Sequence, residues 1–185
     1  MNTVRANTLI ALITYLLLIN AGPAYSGVGT TVPISAALGT SIAGDNFPLT
    51  VKIGKGTLFL TDPTVLFIDD KRIGMQVRFQ AYDHRPAEGI AVSEMGRAQF
   101  SGELDYDPGA RQILLHEPKI DKLEFDRDNA VTKRLLSQLE ATWSAQVTNP
   151  IRSEFPQHPY VLPFKENVQD LSYDGNSINL TIFYE

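Results

Sequence analysis

Between Asp128 and about Phe155, apolar residues recur every fourth position: Val131, Leu135, Leu139, Trp143, Val147 and Ile151. On an α-helix that spacing draws one nearly straight apolar stripe, so the stretch is expected to form a long helix. Asp126 or Asp128 is expected to cap its start, Asp128 being nearer the first periodic residue. Lys133 and Arg134 mark a solvated face. Asn149-Pro150 is expected to end or kink the helix, because proline lacks a backbone donor and clashes with the preceding turn.

Elsewhere the period is two. From Arg72 to Tyr82, Ile73, Met75, Val77, Phe79 and Ala81 alternate with Gly74, Gln76, Arg78 and Gln80, as in a half-buried antiparallel strand. Met95 to Tyr106 repeats the pattern, with Gly96, Ala98, Phe100, Gly102 and Leu104 on one face. The small residues there permit close backbone approach or strong curvature. Leu49, Val51 and Ile53 alternate, and Gly54 and Gly56 allow a bend or bulge before Leu58 to Leu60. Asp62-Pro63 is expected to turn the chain into a separate strand, Val65 to Ile68, followed by a turn at Asp69-Asp70-Lys71. His84 to Val92 reads as a loop and Asp107-Pro108-Gly109 as a turn. Arg111 to Phe125 then returns as a strand in which Pro118 predicts an edge position or a bulge.

A short helix opened near Ser35 accommodates Ile34, Ala37, Leu38 and Ile42, with Gly39 and Gly44 marking its end. Past the long helix, Pro156, Pro159 and Pro163 are expected to hold His158 to Phe164 extended. Asp174-Gly175-Asn176 turns into a last strand carrying Ile178, Leu180, Ile182 and Tyr184. The predicted fold class is α+β: a strongly curved antiparallel sheet wrapped around one long helix in the C-terminal half, plus a short N-terminal helix.

The first residues change the compartment. Arg5, the apolar run Leu9 to Ile19 and the small residues of Ala24-Tyr25-Ser26 read as a signal peptide over residues 1–26. Cleavage is expected after Ser26, with Ala24 the alternative, leaving one domain over residues 27–185. There is no cysteine, so neither a lipoprotein anchor, a disulfide nor a thiolate metal site is available. The expected location is the periplasm, with no stable membrane anchor after cleavage. Net charge is −5 without a basic cluster, a poor match to nucleic acid.

Candidate chemistry is sparse. His84, His116 and His158 lack a second ligand at helical or ribbon spacing. Asp105-Tyr106-Asp107 resembles the start of a calcium loop, but its glycine falls one place early and His116 stands where glutamate is required. Asp69-Asp70 reads as a solvated turn rather than a catalytic pair. Gly54-Lys55-Gly56 lacks the helix a phosphate loop needs, and no serine stands in a nucleophile elbow. Asn179-Leu180-Thr181 matches a glycosylation sequon in mid-strand, by chance. No catalytic residue, metal or cofactor is expected.

The order of signal peptide, short helix, Asn46-Phe47-Pro48 and alternating strands continues through Ile113-Leu114-Leu115 and Leu123-Glu124-Phe125 to the long helix. His158-Pro159-Tyr160-Val161-Leu162 and a Gly175 to Phe183 strand follow. This pattern resembles the YceB-like family of small bacterial periplasmic proteins, which is similar to the TULIP (tubular lipid-binding) superfamily. Several such proteins carry a lipobox cysteine, which this chain lacks. The resemblance implies binding of a lipid or other apolar molecule, with no catalytic residues to carry over.

Hence the leading expectation is a periplasmic binding protein for a lipid or other hydrophobic ligand. Leu135, Leu139, Trp143 and Val147 would form one wall of its groove. Met75, Val77, Phe79, Phe100, Leu104, Ile178, Leu180 and Ile182 would form the other, with Arg72, Arg78 or Lys133 as rim cations for a head group. The alternative is an envelope structural or interaction protein with a filled core; its protein partner is not specified by the sequence. A third reading, an enzyme such as a thioesterase, needs a placed acid or base.

Overall fold

A computed structural model describes residues 28–53, 56–85 and 90–184. The expected signal peptide and the Gly54-Lys55 pair lie outside the described residues. Among the described residues the architecture is α+β, with two antiparallel sheets and two α-helices.

The larger sheet is a six-stranded meander that curls into a half-barrel. Its strands, in spatial and sequence order, are β2 (Leu49–Ile53), β3 (Gly56–Phe67), β4 (Arg72–Arg85), β5 (Ile90–Asp107), β6 (Gln112–Phe125) and β7 (Ile151–Glu154). The smaller sheet has three strands in the order β1 (Val28–Ile34), β9 (Ile178–Tyr184), β8 (Val168–Tyr173). Helix α1 (Ala36–Gly44) lies on β3, and helix α2 (Ala130–Gln146) crosses the hollow of the larger sheet, touching β2 and β6. The expected single sheet around one helix is therefore two sheets, with the last strand in the smaller one.

Curvature comes from β5. A methyl group on Gly96 would stand 2.2 Å from the Glu124 carbonyl oxygen and 2.4 Å from the Phe79 ring. One on Gly102 would meet Leu115 at 2.5 Å and the His116 carbonyl at 2.8 Å. Only glycine lets β5 and its neighbours approach this closely while large side chains fill the concave face.

Several boundaries differ from expectation, each for a local reason. Asp62-Pro63 is not a turn: β3 runs through it with a bulge between Thr61 and Thr64, Asp62 taking φ 51°. Pro63 cannot donate to a ladder, but β2 pairs with β3 only as far as Leu60, so the proline sits on a bare edge. Pro118 does sit at a bulge, where Ser101 opposes Lys119 and Glu103 opposes His116. Of the expected His84 to Val92 loop, His84 and Arg85 belong to β4 and Ile90 to Val92 to β5, and residues 86–89 lie outside the described residues. α1 opens at Ser35 as expected, its Oγ accepting the Leu38 N–H at 3.3 Å, but Ile34, expected within the helix, ends β1.

Helix α2 is 17 residues long, shorter than the apolar stripe. Asn129, not an aspartate, caps it. Its Oδ1 accepts the N–H groups of Val131 (2.8 Å) and Thr132 (3.0 Å), while Thr132 Oγ1 accepts the Asn129 N–H at 2.9 Å. Asp126 and Asp128 instead face Arg78 at 3.5 Å and Lys133 at 3.4 Å. At the other end Val147 is already extended. β-branched Val147 and Thr148 precede Asn149-Pro150, a proline that disfavours helical geometry in the residue before it. Ile151 therefore opens β7. His158 to Phe164 is likewise not extended: it forms turns and a short 3-10 helix at Leu162–Phe164.

Two apolar cores result. One gathers Leu58, Val77, Phe79, Ala81, Ala98, Leu135 and Leu139 between the larger sheet and α2. The other gathers Ile34, Ile42, Tyr106, Phe155, Val161, Val168, Leu171, Leu180 and Ile182 between the smaller sheet, α1 and the end of β5.

Candidate functional site

The hollow between α2 and the larger sheet is not filled. A cavity of about 330 Å³ remains, within the range of small-molecule sites, roughly 300–1,000 Å³. Helix α2 contributes Leu139 and Trp143, and the chain leaving it contributes Val147 and Ile151. Although the last two are not helical, they continue the same wall. The sheet contributes Val51, Leu58 and Leu60 from β2 and β3, Phe79 from β4, Ala98 and Phe100 from β5, and Ile120 and Leu123 from β6. Its polar lining side chains are Thr142, Gln146 and Thr148, all near the C-terminal end of α2.

The walls are held in place by packing around the cavity. Leu135, 1% exposed, sinks into the core one turn before Leu139 and anchors the helix. Trp143 stacks on Phe100 with ring centroids 5.2 Å apart and planes 20° apart, worth about 0.5–1.5 kcal/mol beyond buried area. Phe79 meets Phe125 edge-on at 5.1 Å. Most helical stability in proteins comes from packing of an apolar face, so burial of this face stabilises α2.

The residues expected to form one groove divide between two places. Leu139, Trp143, Val147, Phe79 and Phe100 do line the cavity. Leu135 and Val77 lie in the core beneath it. Met75, Leu104, Ile178 and Leu180 line a second space of about 220 Å³ between the two sheets, and Ile182 is buried in the core beside that space. The boundary runs along one cross-strand row, Val65–Met75–Phe100–Ile120. Val65 and Met75 face the smaller space, Phe100 and Ile120 the larger. Sequence reasoning missed Val51, Leu58, Leu60, Ile120 and Leu123 as lining residues. Val51 was visible in an alternating run and Ile120 and Leu123 in a returning strand, but not which strands curl toward the helix.

The expected rim cations are engaged elsewhere. Arg72 donates to Ser101 Oγ at 3.2 Å and to the Glu117 carbonyl at 2.9 Å, Arg78 faces Asp126, and Lys133 faces Asp128. None of the three lines the cavity.

Ionisable groups lie mostly outside it. His116 Nε2 stands 3.3 Å from Asp105 Oδ2, with side chains 39% and 58% exposed, and neither residue lines the cavity. His158 Nδ1 accepts the Tyr160 N–H. Asp69 binds the N–H groups of Lys71 and Arg72, which hold its carboxyl below the usual range. Asp174 is lowered from 3.8 to about 2 by the Asn176 N–H, the Asn179 side chain and the Ser177 N–H. Burial raises the Tyr106 and Tyr173 hydroxyls above 10. Among the described residues, no group of three or more His, Asp or Glu side chains is placed to hold a metal ion. Nor is any described helix long and apolar enough to cross a membrane.

No family model matches the chain, and neither does any curated protein.

Proposed function

We propose that this protein binds a lipid or other hydrophobic molecule in the cavity between α2 and the curled sheet, without catalysis. The observation that carries this is the cavity's lining: wholly apolar side chains apart from three polar ones gathered at one end. Water confined there finds few partners, so an apolar guest displaces it at little cost. Each methylene buried contributes about 0.8 kcal/mol, so an alkyl chain suffices for useful affinity without a charged anchor. The leader expected over residues 1–26 supports a periplasmic location for this function. The resemblance to the YceB-like family and to TULIP-like lipid binders supports the same assignment and belongs to this proposal.

A second reading, an interaction protein of the envelope, draws on Tyr160 and Leu162. These are 42% and 43% exposed on either side of buried Val161. Native mass spectrometry of periplasmic protein, with organic extraction, separates the two. The binding reading expects a stoichiometric lipid that is absent from a folded Trp143→Arg variant. Clean apo protein that also refuses fluorescent fatty acids would favour the interaction protein instead.

A further inference from the structure

The space of about 220 Å³ between the two sheets has its own cause, and it lies on α1. Gly39, Ile42 and Ala43 stand on one face of that helix by their spacing, and all three line the space. Two of the three carry almost no side chain. The helix is nevertheless already seated against β3. Thr40 Oγ1 accepts the Val65 N–H at 2.9 Å, and a methyl group on Gly39 would stand 3.5 Å from the Val65 side chain. The room that Ala43 leaves is therefore not closed by moving α1 inward.

This space and the cavity under α2 share no lining residue. Among the described residues its lining carries no ionisable side chain; the polar one is Asn46, which is exposed one turn past Ala43. An uncharged guest follows, because a buried charge without a partner is strongly disfavoured. Size narrows the guest further. An apolar cavity of about 150 Å³ lined by Leu, Ile and Phe stays dry and takes up benzene. At about 220 Å³, with Ile, Leu, Val, Met and Phe around it, this space accepts a somewhat larger body. It stays below the roughly 300 Å³ at which sites for drug-sized molecules begin.

We propose that this space is a second binding site, for a compact, uncharged, apolar molecule of one or two rings. A rigid ring fills a compact space without the conformational entropy that a flexible chain loses on confinement. Met75 lines the site, and its unbranched side chain adapts to the outline of the guest. A hydrogen-bonding group on the guest belongs at the Asn46 end, where water completes its partners. The site stands whether or not the cavity under α2 holds a lipid.

The test uses the full mature chain, with indole as the ring probe and a fluorescent fatty acid as the chain probe. Methionine-methyl NMR reports the position, since Met75 lines the space whereas Met95 is 46% exposed. Indole is expected to bind one to one and to shift the Met75 methyl signal, with Met95 and fatty-acid uptake unchanged. Ala43→Leu fills the space and should weaken indole binding by about tenfold or more, leaving the fatty acid unaffected. Ala98→Leu should do the reverse. If Ala43→Leu does not fold, Gly39→Ala replaces it with a smaller loss, its methyl meeting Val65 at an ordinary contact distance. Indole that does not bind the folded protein, leaves Met75 unmoved or competes with the fatty acid would overturn the second site. Indole uptake without fatty-acid uptake would support it and overturn the reading of the α2 cavity instead.

Discussion

The two apolar cores share β5 but are covered differently. Around Ile182 the smaller sheet packs on the end of β5, and α1, Phe155 and Val161 fill in from the sides. Two β surfaces with side chains standing at right angles to them interdigitate, and Ile182 and Leu180 reach 0% and 1% exposure. Around Phe79 the opposite wall is a single 17-residue helix laid across a hollow of six strands. One stripe cannot reach every inward residue of a curled sheet, so Leu58, Leu60, Phe100 and Ile120 surround unfilled space. Covering geometry, rather than hydrophobic content, sets how much space is left: about 330 Å³ under α2 against about 220 Å³ between the two sheets.

The largest expected effect tests the core around Ile182. Ile182→Ala should cost about 2–5 kcal/mol in urea unfolding, with apolar-probe affinity unchanged in the folded fraction. If affinity falls with stability, the two cores are coupled across the Met75–Phe100 row and the contrast fails. Enlarging a residue in each core sharpens the same point. Val168→Phe should destabilise by about 1–3 kcal/mol through overpacking. Ala98→Leu, which projects into the cavity, should be neutral or stabilise by about 0.5–2 kcal/mol while abolishing probe uptake.

Smaller effects probe the helix that forms the cavity wall. Asn129→Ala removes the capping side chain and should cost about 0.5–2 kcal/mol, with hydrogen exchange rising first in the opening turn of α2. Probe affinity should weaken, because this wall rests on helix position, whereas the smaller sheet should keep its protection.

The smallest expected effect concerns acid. Asp174 has a folded pKa of about 2 against 3.8 ordinarily, so it stabilises the β8–β9 turn above pH 4, and that contribution disappears as pH falls toward 2. Asp174→Asn should therefore flatten the loss of stability across this window, measured by denaturant midpoints. Wild-type and variant curves falling in parallel would remove Asp174 from the account.

Much of this architecture was legible from local pattern. The alternation of Ile73 to Ala81 placed β4, and the Asp107-Pro108-Gly109 turn placed the β5–β6 connection. Leu139 and Trp143 were recognisable as one wall because helical spacing alone puts them on one face. The division of the other wall was not legible. Ile178, Leu180 and Ile182 alternate just as Val77 and Phe79 do, and alternation says which residues share a face without saying what that face meets. Only the pairing of β9 with β1 and β8 sends them to the second core. The helix was overread for a related reason: Val147 and Ile151 hold the apolar wall after the helical backbone has ended.

What the sequence determined by itself is therefore local. Periodicity, glycines at 96 and 102, and the proline at 150 set the α+β class, the curl of β5 and the neighbourhood of the helix end. Tertiary structure alone decided that two sheets form rather than one, and that the hollow under α2 keeps more space than the core around β9. These depend on contacts between segments distant in the chain. No short-range pattern encodes how far a 17-residue helix falls short of covering a sheet of six strands.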